Sequence, residues 1–125
     1  MSTETGEPGR DILDLKYLDD FAGNDAATMR ELIDIFMEHG PQLIADLRSY
    51  CDSKQIDKLR RAAHKMKPML AYVGMNSIRM RVTEIEDAEI TDENWDWTAA
   101  MVSSVCSDFE IGKTQLAAFR KTLGD

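Results

Sequence analysis

The residue with the most chemical promise is His64. It lies in the run Leu59-Arg60-Arg61-Ala62-Ala63-His64-Lys65-Met66-Lys67-Pro68-Met69-Leu70, which continues to Gly74. On a helix advancing about 100° per residue, Leu59, Ala63, Met66, Leu70 and Val73 gather into one apolar stripe that must face a core. His64 points away from that stripe, beside Arg60, Lys67 and Ala71. Lys67 follows it by three residues and Arg60 precedes it by four, the separations at which helical side chains become neighbours. Ala71, one turn further on, and then Gly74 continue an uncrowded strip that leaves room for another surface. An exposed neutral imidazole beside cations is suited to accept a phosphoryl group. The ring nitrogen attacks, and the cations stabilise the equatorial oxygens as charge develops. A lone solvent-facing histidine is more often just a polar residue, and its cationic, small-residue company is what sets His64 apart. His39 lacks that company: Glu38 precedes it, Gly40-Pro41 follows, and no basic residue stands three on, so it reads as structural.

The charge distribution supports a docking surface there. From Lys58 to Arg81 the chain carries seven basic residues (Lys58, Arg60, Arg61, Lys65, Lys67, Arg79 and Arg81), and no acidic residue appears before Glu84. The other eight of the 15 basic residues are set against all 23 acidic ones, so the remainder of the chain stands at −15. A local excess of +7 inside an acidic protein suits an anionic partner, although a solvated helix face is the commoner meaning of a charge run. The net charge of −8 argues against a nucleic-acid binder.

Other chemistries find little support. Cys51 and Cys106 are the only cysteines, without CxxC spacing; with no secretion signal, reduced thiols and a cytoplasmic location are expected. Two cysteines and two histidines so widely scattered make no metal site, and no Gly-rich phosphate loop, GxSxG or HExxH occurs. No apolar run of about 18 residues is present, so no membrane span is expected. Residues 1–10 lack the basic and apolar regions of a signal peptide and read as a disordered leader to a single domain over residues 11–125.

The elements that must hold His64 are helices. Ile12 to Phe21 is a short helix with Leu13, Tyr17, Leu18 and Phe21 on one side, stopped by Gly23-Asn24-Asp25, of which Asn24 or Asp25 can cap the next helix. Met29, Leu32, Ile33, Phe36, Leu43, Ile44, Leu47 and Cys51 then recur at spacings of three and four, with a kink or break expected at Gly40-Pro41. The helix carrying His64 runs from about Ile56 to Val73 and ends at Gly74 in the left-handed conformation. Asn76 or Ser77 can cap the following helix, which buries Ile78, Val82 and Ile85. A last helix from about Asp96 to Leu123 carries Val102, Val105, Phe109, Gly112, Leu116, Phe119 and Leu123 inward. No segment alternates at period two. The expected fold is all-α: an antiparallel up-down four-helix bundle with a short additional N-terminal helix.

The run Ala63-His64-Lys65-Met66-Lys67, with glycine ten residues after the histidine, resembles the signature of histidine-containing phosphotransfer (HPt) domains. Tyr17-Leu18, Phe21, Gly23-Asn24-Asp25, Ile33 and Phe36 are similar to the family's first two helices, so the resemblance covers roughly Leu13 to Glu89. It implies that His64 takes a phosphoryl group from a receiver-domain aspartate and passes it to another receiver. Lys67 matches the lysine that contacts the phosphoryl oxygens. Glu86 falls where the family often places a polar side chain, frequently Gln, that bonds the other imidazole nitrogen; a carboxylate there would orient the ring and raise its basicity. A plain solvated helix residue is the alternative reading of Glu86. Magnesium belongs to the receiver, so no cofactor is expected on this chain. Receiver domains of response regulators or hybrid kinases are the expected partners, met through Arg60, Arg61, Lys65, Pro68, Ala71 and Gly74 by a monomer. Two positions depart from the family: Pro68 stands where glycine usually follows the histidine by four, and Ala71 where a second glycine often sits. Pro68 removes the helical donor to the His64 carbonyl, and a bend is expected there.

Two other readings remain. The dimerisation segment of a histidine kinase typically has an acidic residue directly after its histidine and proline five on; here Lys65 follows and the proline is four on. The chain has no room for an ATP-binding domain, so no autokinase activity is expected. A helical adaptor that binds receivers without transfer would have lost the histidine or its lysine, and both are present. The methionines (Met29, Met37, Met66, Met69, Met75, Met80) could give such an adaptor a pliable surface, but at helical spacing they are more often core. The opening Met1 favours a free-standing shuttle over a piece of a hybrid kinase.

Overall fold

Apolar residues spaced by three and four fold into five helices: α1 (Leu15–Phe21), α2 (Ala26–Asp52), α3 (Ile56–Tyr72), α4 (Asn76–Asp87) and α5 (Trp95–Thr122). The computed structural model describes residues 12–124, and no strand occurs among the described residues. The expected leader lies outside them, as does the side chain of Phe21. α2 packs against α3 and α5, and α4 packs against the same two, so the four long helices close a ring in chain order. Residues 53–55 and 73–75 are too few to carry the chain back along a helix, which makes the helices they join run antiparallel.

The helix ends are specified locally. Asp14 and Asp25 cap α1 and α2 by accepting from the amides of Tyr17 and Thr28. α3 ends on a Schellman pair, with the Gly74 amide donating to the Ala71 carbonyl at 3.2 Å and the Met75 amide to Leu70 at 2.9 Å, while Gly74 takes φ 72°. The same pattern closes α2 around Lys54 at φ 53°, whose ammonium lies 5.1 Å from the centre of the Trp95 ring. Asn76 and Ser77 do not cap α4; its N-cap is Met75, without a side-chain bond, and Asn76 instead accepts from Arg79 Nε.

The core follows the predicted stripes. Leu59, Ala63, Met66, Leu70 and Val73 are fully buried, as are Ile78, Val82 and Ile85. Phe36 of α2 and Phe109 of α5 stack with centroids 5.1 Å apart, and Gly40 gives Phe109 its space, since a β-carbon there would sit 3.0 Å from the Phe109 ring.

α2 is continuous through Pro41, so no break occurs there, and α3 is continuous through Pro68. A proline costs about 3 kcal/mol inside a helix, but both halves of each helix bury side chains in the same core, and that packing outweighs the missing hydrogen bond. The first helix begins at Leu15, because Ile12 and Leu13 form a strap whose amides both donate to Gln115 Oε1 on α5. Ile12 is buried against Gly112, where a β-carbon would meet Ile12 and Met75 at 2.8 Å.

Candidate functional site

The α3–α4 hairpin sets the site. His64 lies ten residues before Gly74 and Glu86 twelve after it, and at about 1.5 Å per residue the two return to one level. The buried stripe on α3 turns His64 outward, and burial of Ile78, Val82 and Ile85 turns Glu86 toward α3.

There the side chains meet. His64 Nδ1 and Glu86 Oε2 lie 2.6 Å apart, and Lys67 Nζ donates to Glu86 Oε1 at 2.6 Å. The side chain of His64 is 66 % exposed, against 29 % for Lys67 and 23 % for Glu86, so the ring faces solvent while its two supports are partly sheltered. The hydrogen bond from Lys67 above all, and then His64, hold the Glu86 carboxyl below the usual carboxylate range against the effect of its burial. An ionised carboxylate only accepts, so the neutral ring carries its proton on Nδ1 and leaves the Nε2 lone pair free. Among the described residues Nε2 has no hydrogen-bond partner.

Arg61, Lys65 and Pro68 are exposed, and Ala71 is half-buried. Arg61 and Lys65 line, with Lys58 and Tyr50, a groove of about 310 Å³ beside α2. Two residues assigned to a partner surface are placed otherwise. Arg60 is half-buried: Nη2 donates to the Ala88 carbonyl just past α4, and Nε is shielded without a partner. Gly74 is buried rather than open, because the strap crosses it: the Asp14 amide donates to the Gly74 carbonyl at 2.8 Å, and a β-carbon on Gly74 would lie 2.6 Å from the Asp14 oxygen.

Sequence reasoning missed the brace behind the site. Arg81, counted among the surface cations, points inward: Nη1 pairs with buried Asp108 of α5 at 2.8 Å and donates to Ser104 at 2.9 Å. It ties the helix that bears Glu86 to α5. The one available signal was an aspartate inside an otherwise apolar face of the last helix.

His39 is exposed, 3.9 Å from Glu38. Cys51 and Cys106 are buried and in no disulfide, and burial pushes the Cys51 thiol up. Among the described residues no group of three or more His, Cys, Asp or Glu could hold a metal ion, and no helix is long and apolar enough to cross a membrane.

Comparison with known protein families matches the chain to the Hpt domain over residues 31–118. No curated protein and no solved structure matches. The matched span begins inside α2 and takes in most of α5, whereas the resemblance carried by the motif ran from about Leu13 to Glu89 and so included α1 and stopped before α5. With more than half of its length matched, on a helical bundle, the chain belongs to the Hpt domain family, the phosphocarriers of two-component phosphorelays that interact with receiver domains.

Proposed function

We propose that this chain is a phosphorelay intermediate that accepts a phosphoryl group on His64 Nε2 from a receiver aspartate and hands it to a second receiver. The observation that carries this reading is the 2.6 Å contact between His64 Nδ1 and Glu86 Oε2, which leaves Nε2 as the unprotonated, outward nitrogen. In the accepting step the Nε2 lone pair attacks phosphorus. The N–P bond forms as the P–O bond to the receiver aspartate breaks, and that electron pair returns to the carboxylate. The Nδ1 proton stays on the ring, beside Glu86. Donation is the reverse, with neutral imidazole as leaving group. Lys67 meets the phosphoryl oxygens, and Glu86 orients the ring. Arg61, Lys65, Pro68 and Ala71 face the receiver, which brings its own magnesium.

The test is to mix the chain with phosphorylated receiver domains and look for acid-labile, alkali-stable phosphate. Label is expected on the native chain and absent from a folded His64→Gln variant. Unchanged labelling of that variant sinks the assignment, and binding of receivers without label favours the adaptor reading.

A further inference from the structure

Glu86 does two jobs at once. Its Oε2 meets the ring of His64 and its Oε1 takes the ammonium of Lys67, each at 2.6 Å. Only a carboxylate supplies two acceptor atoms in that plane; a glutamine supplies one acceptor and one donor. A glutamine could accept from Nδ1–H, but its amide N–H groups would then face the Lys67 ammonium, donor against donor. Turned the other way, with its oxygen to Lys67, it would donate to Nδ1 and put the ring proton on Nε2, the nitrogen that must attack.

Lys67 is therefore no free tether in the resting chain. An ammonium has three donors; one is engaged by Glu86 and two remain for an incoming group. From α3 the charge paired with Glu86 is Lys67, with His64 beside it, while the other cation of that face, Arg60, is engaged at Ala88.

We infer that Glu86 is the positioning residue for Lys67, so that one carboxylate places both the nitrogen that attacks and the ammonium that meets the phosphoryl oxygens. This rests on the phosphocarrier reading above and adds a dependence to it: Lys67 works through Glu86, and without the carboxylate its contribution is lost.

The experiment uses phosphoramidate, a small donor that requires no docking surface. The His64 Nε2 lone pair attacks its phosphorus, the phosphoramidate P–N bond breaks, and ammonia leaves with the electron pair. The initial rate of His64 labelling is followed by 31P NMR, with the site confirmed by mass spectrometry, in the native chain, Lys67→Ala, Glu86→Gln and the double variant. Losing one preorganised donor is expected to slow saturated labelling about tenfold or more, while the half-saturating concentration stays unchanged. Glu86→Gln should match Lys67→Ala, and the double variant should be no slower than either. Lys67→Arg should recover most of the rate with Glu86 in place and none in the Glu86→Gln background. Urea midpoints near the native value show that all variants are folded. A double variant slowed by the product of the two single effects overturns the inference and leaves the phosphocarrier reading standing, as does a Glu86→Gln variant that labels at the native rate. No label on His64 of the native chain overturns both.

Discussion

The backbone oxygen of Asp14 lies 2.6 Å from where a β-carbon on Gly74 would stand. Glycine is needed there twice: for φ 72°, and for the strap that crosses the turn at the top of the α3–α4 hairpin.

Gly23 separates the two needs. It has φ 66° but nothing within 4 Å of a β-carbon. Gly23→Ala should cost about 1 kcal/mol, the left-handed penalty alone. Gly74→Ala should cost about 2–3 kcal/mol, because the strap must also move. Urea unfolding measures both, and equal losses would mean that the strap yields freely.

The basic residues divide by what they touch. Arg60→Ala should lower stability by about 1 kcal/mol, since it strips a hydrogen bond from the Ala88 carbonyl. Arg61→Ala with Lys65→Ala should leave stability within about 0.5 kcal/mol and instead reduce receiver association, most clearly at low salt. Paired denaturation and stopped-flow binding test the division; a loss of stability in the second variant would place those cations in the fold.

Arg81 and Asp108 form the sheltered ion pair behind the site, with side chains 20 % and 6 % exposed. Asp108→Ala should destabilise by about 3 kcal/mol, because it removes the counter-ion of a sheltered guanidinium that keeps only neutral partners at Ser77 and Ser104. Arg81→Met combined with Asp108→Leu should recover most of that loss, since replacing both charges leaves neither unpaired. A double variant as unstable as the single would show that Asp108 acts through other contacts.

Acid should weaken the fold in a defined window. Lys67 lowers Glu86 from its ordinary 4.5, and a hydrogen bond from Arg120 lowers Asp34 from 3.8. A carboxyl whose value is depressed in the folded state binds its proton more readily when unfolded. Its contribution to stability is therefore complete above the ordinary value and is lost as pH falls through the folded one. The urea midpoint should fall below pH 4.5, and Glu86→Gln should show a shallower fall. Parallel curves would mean that Glu86 gives the fold nothing that depends on charge.

The core was legible in the sequence because burial on a helix repeats with its turn. The stripe from Leu59 to Val73 followed from spacing, and all five residues are fully buried. The meeting of His64 with Glu86 was legible only through a likeness to a family, since no spacing rule spans two helices. The break offered at Pro41 does not occur, because a local rule counts the lost hydrogen bond and not the tertiary packing on either side. Arg60 and Arg81 misled because a cation's place in sequence does not say which way its long stem folds. Gly74 was rightly assigned its left-handed turn and wrongly an open surface, because its neighbour, Asp14, lies sixty residues away in sequence.

The strap bears on the order in which the molecule assembles. His64 and Glu86 are 22 residues apart in sequence, whereas Ile12 and Gln115 are separated by 103. Closing the longer loop costs roughly 1.4 kcal/mol more in chain entropy, so the hairpin bearing the reactive ring is expected to form first and the strap to close last. Truncating Leu70 or Ile85 should then slow refolding, while truncating Ile12 or Leu116 should chiefly hasten unfolding. Stopped-flow kinetics would read this directly, and a refolding rate indifferent to Leu70 would reverse the order. On this ordering the hairpin that carries His64 and Glu86 belongs to the folding nucleus, and the strap at Ile12 and Leu13 serves with α5 as its late-fitted clasp.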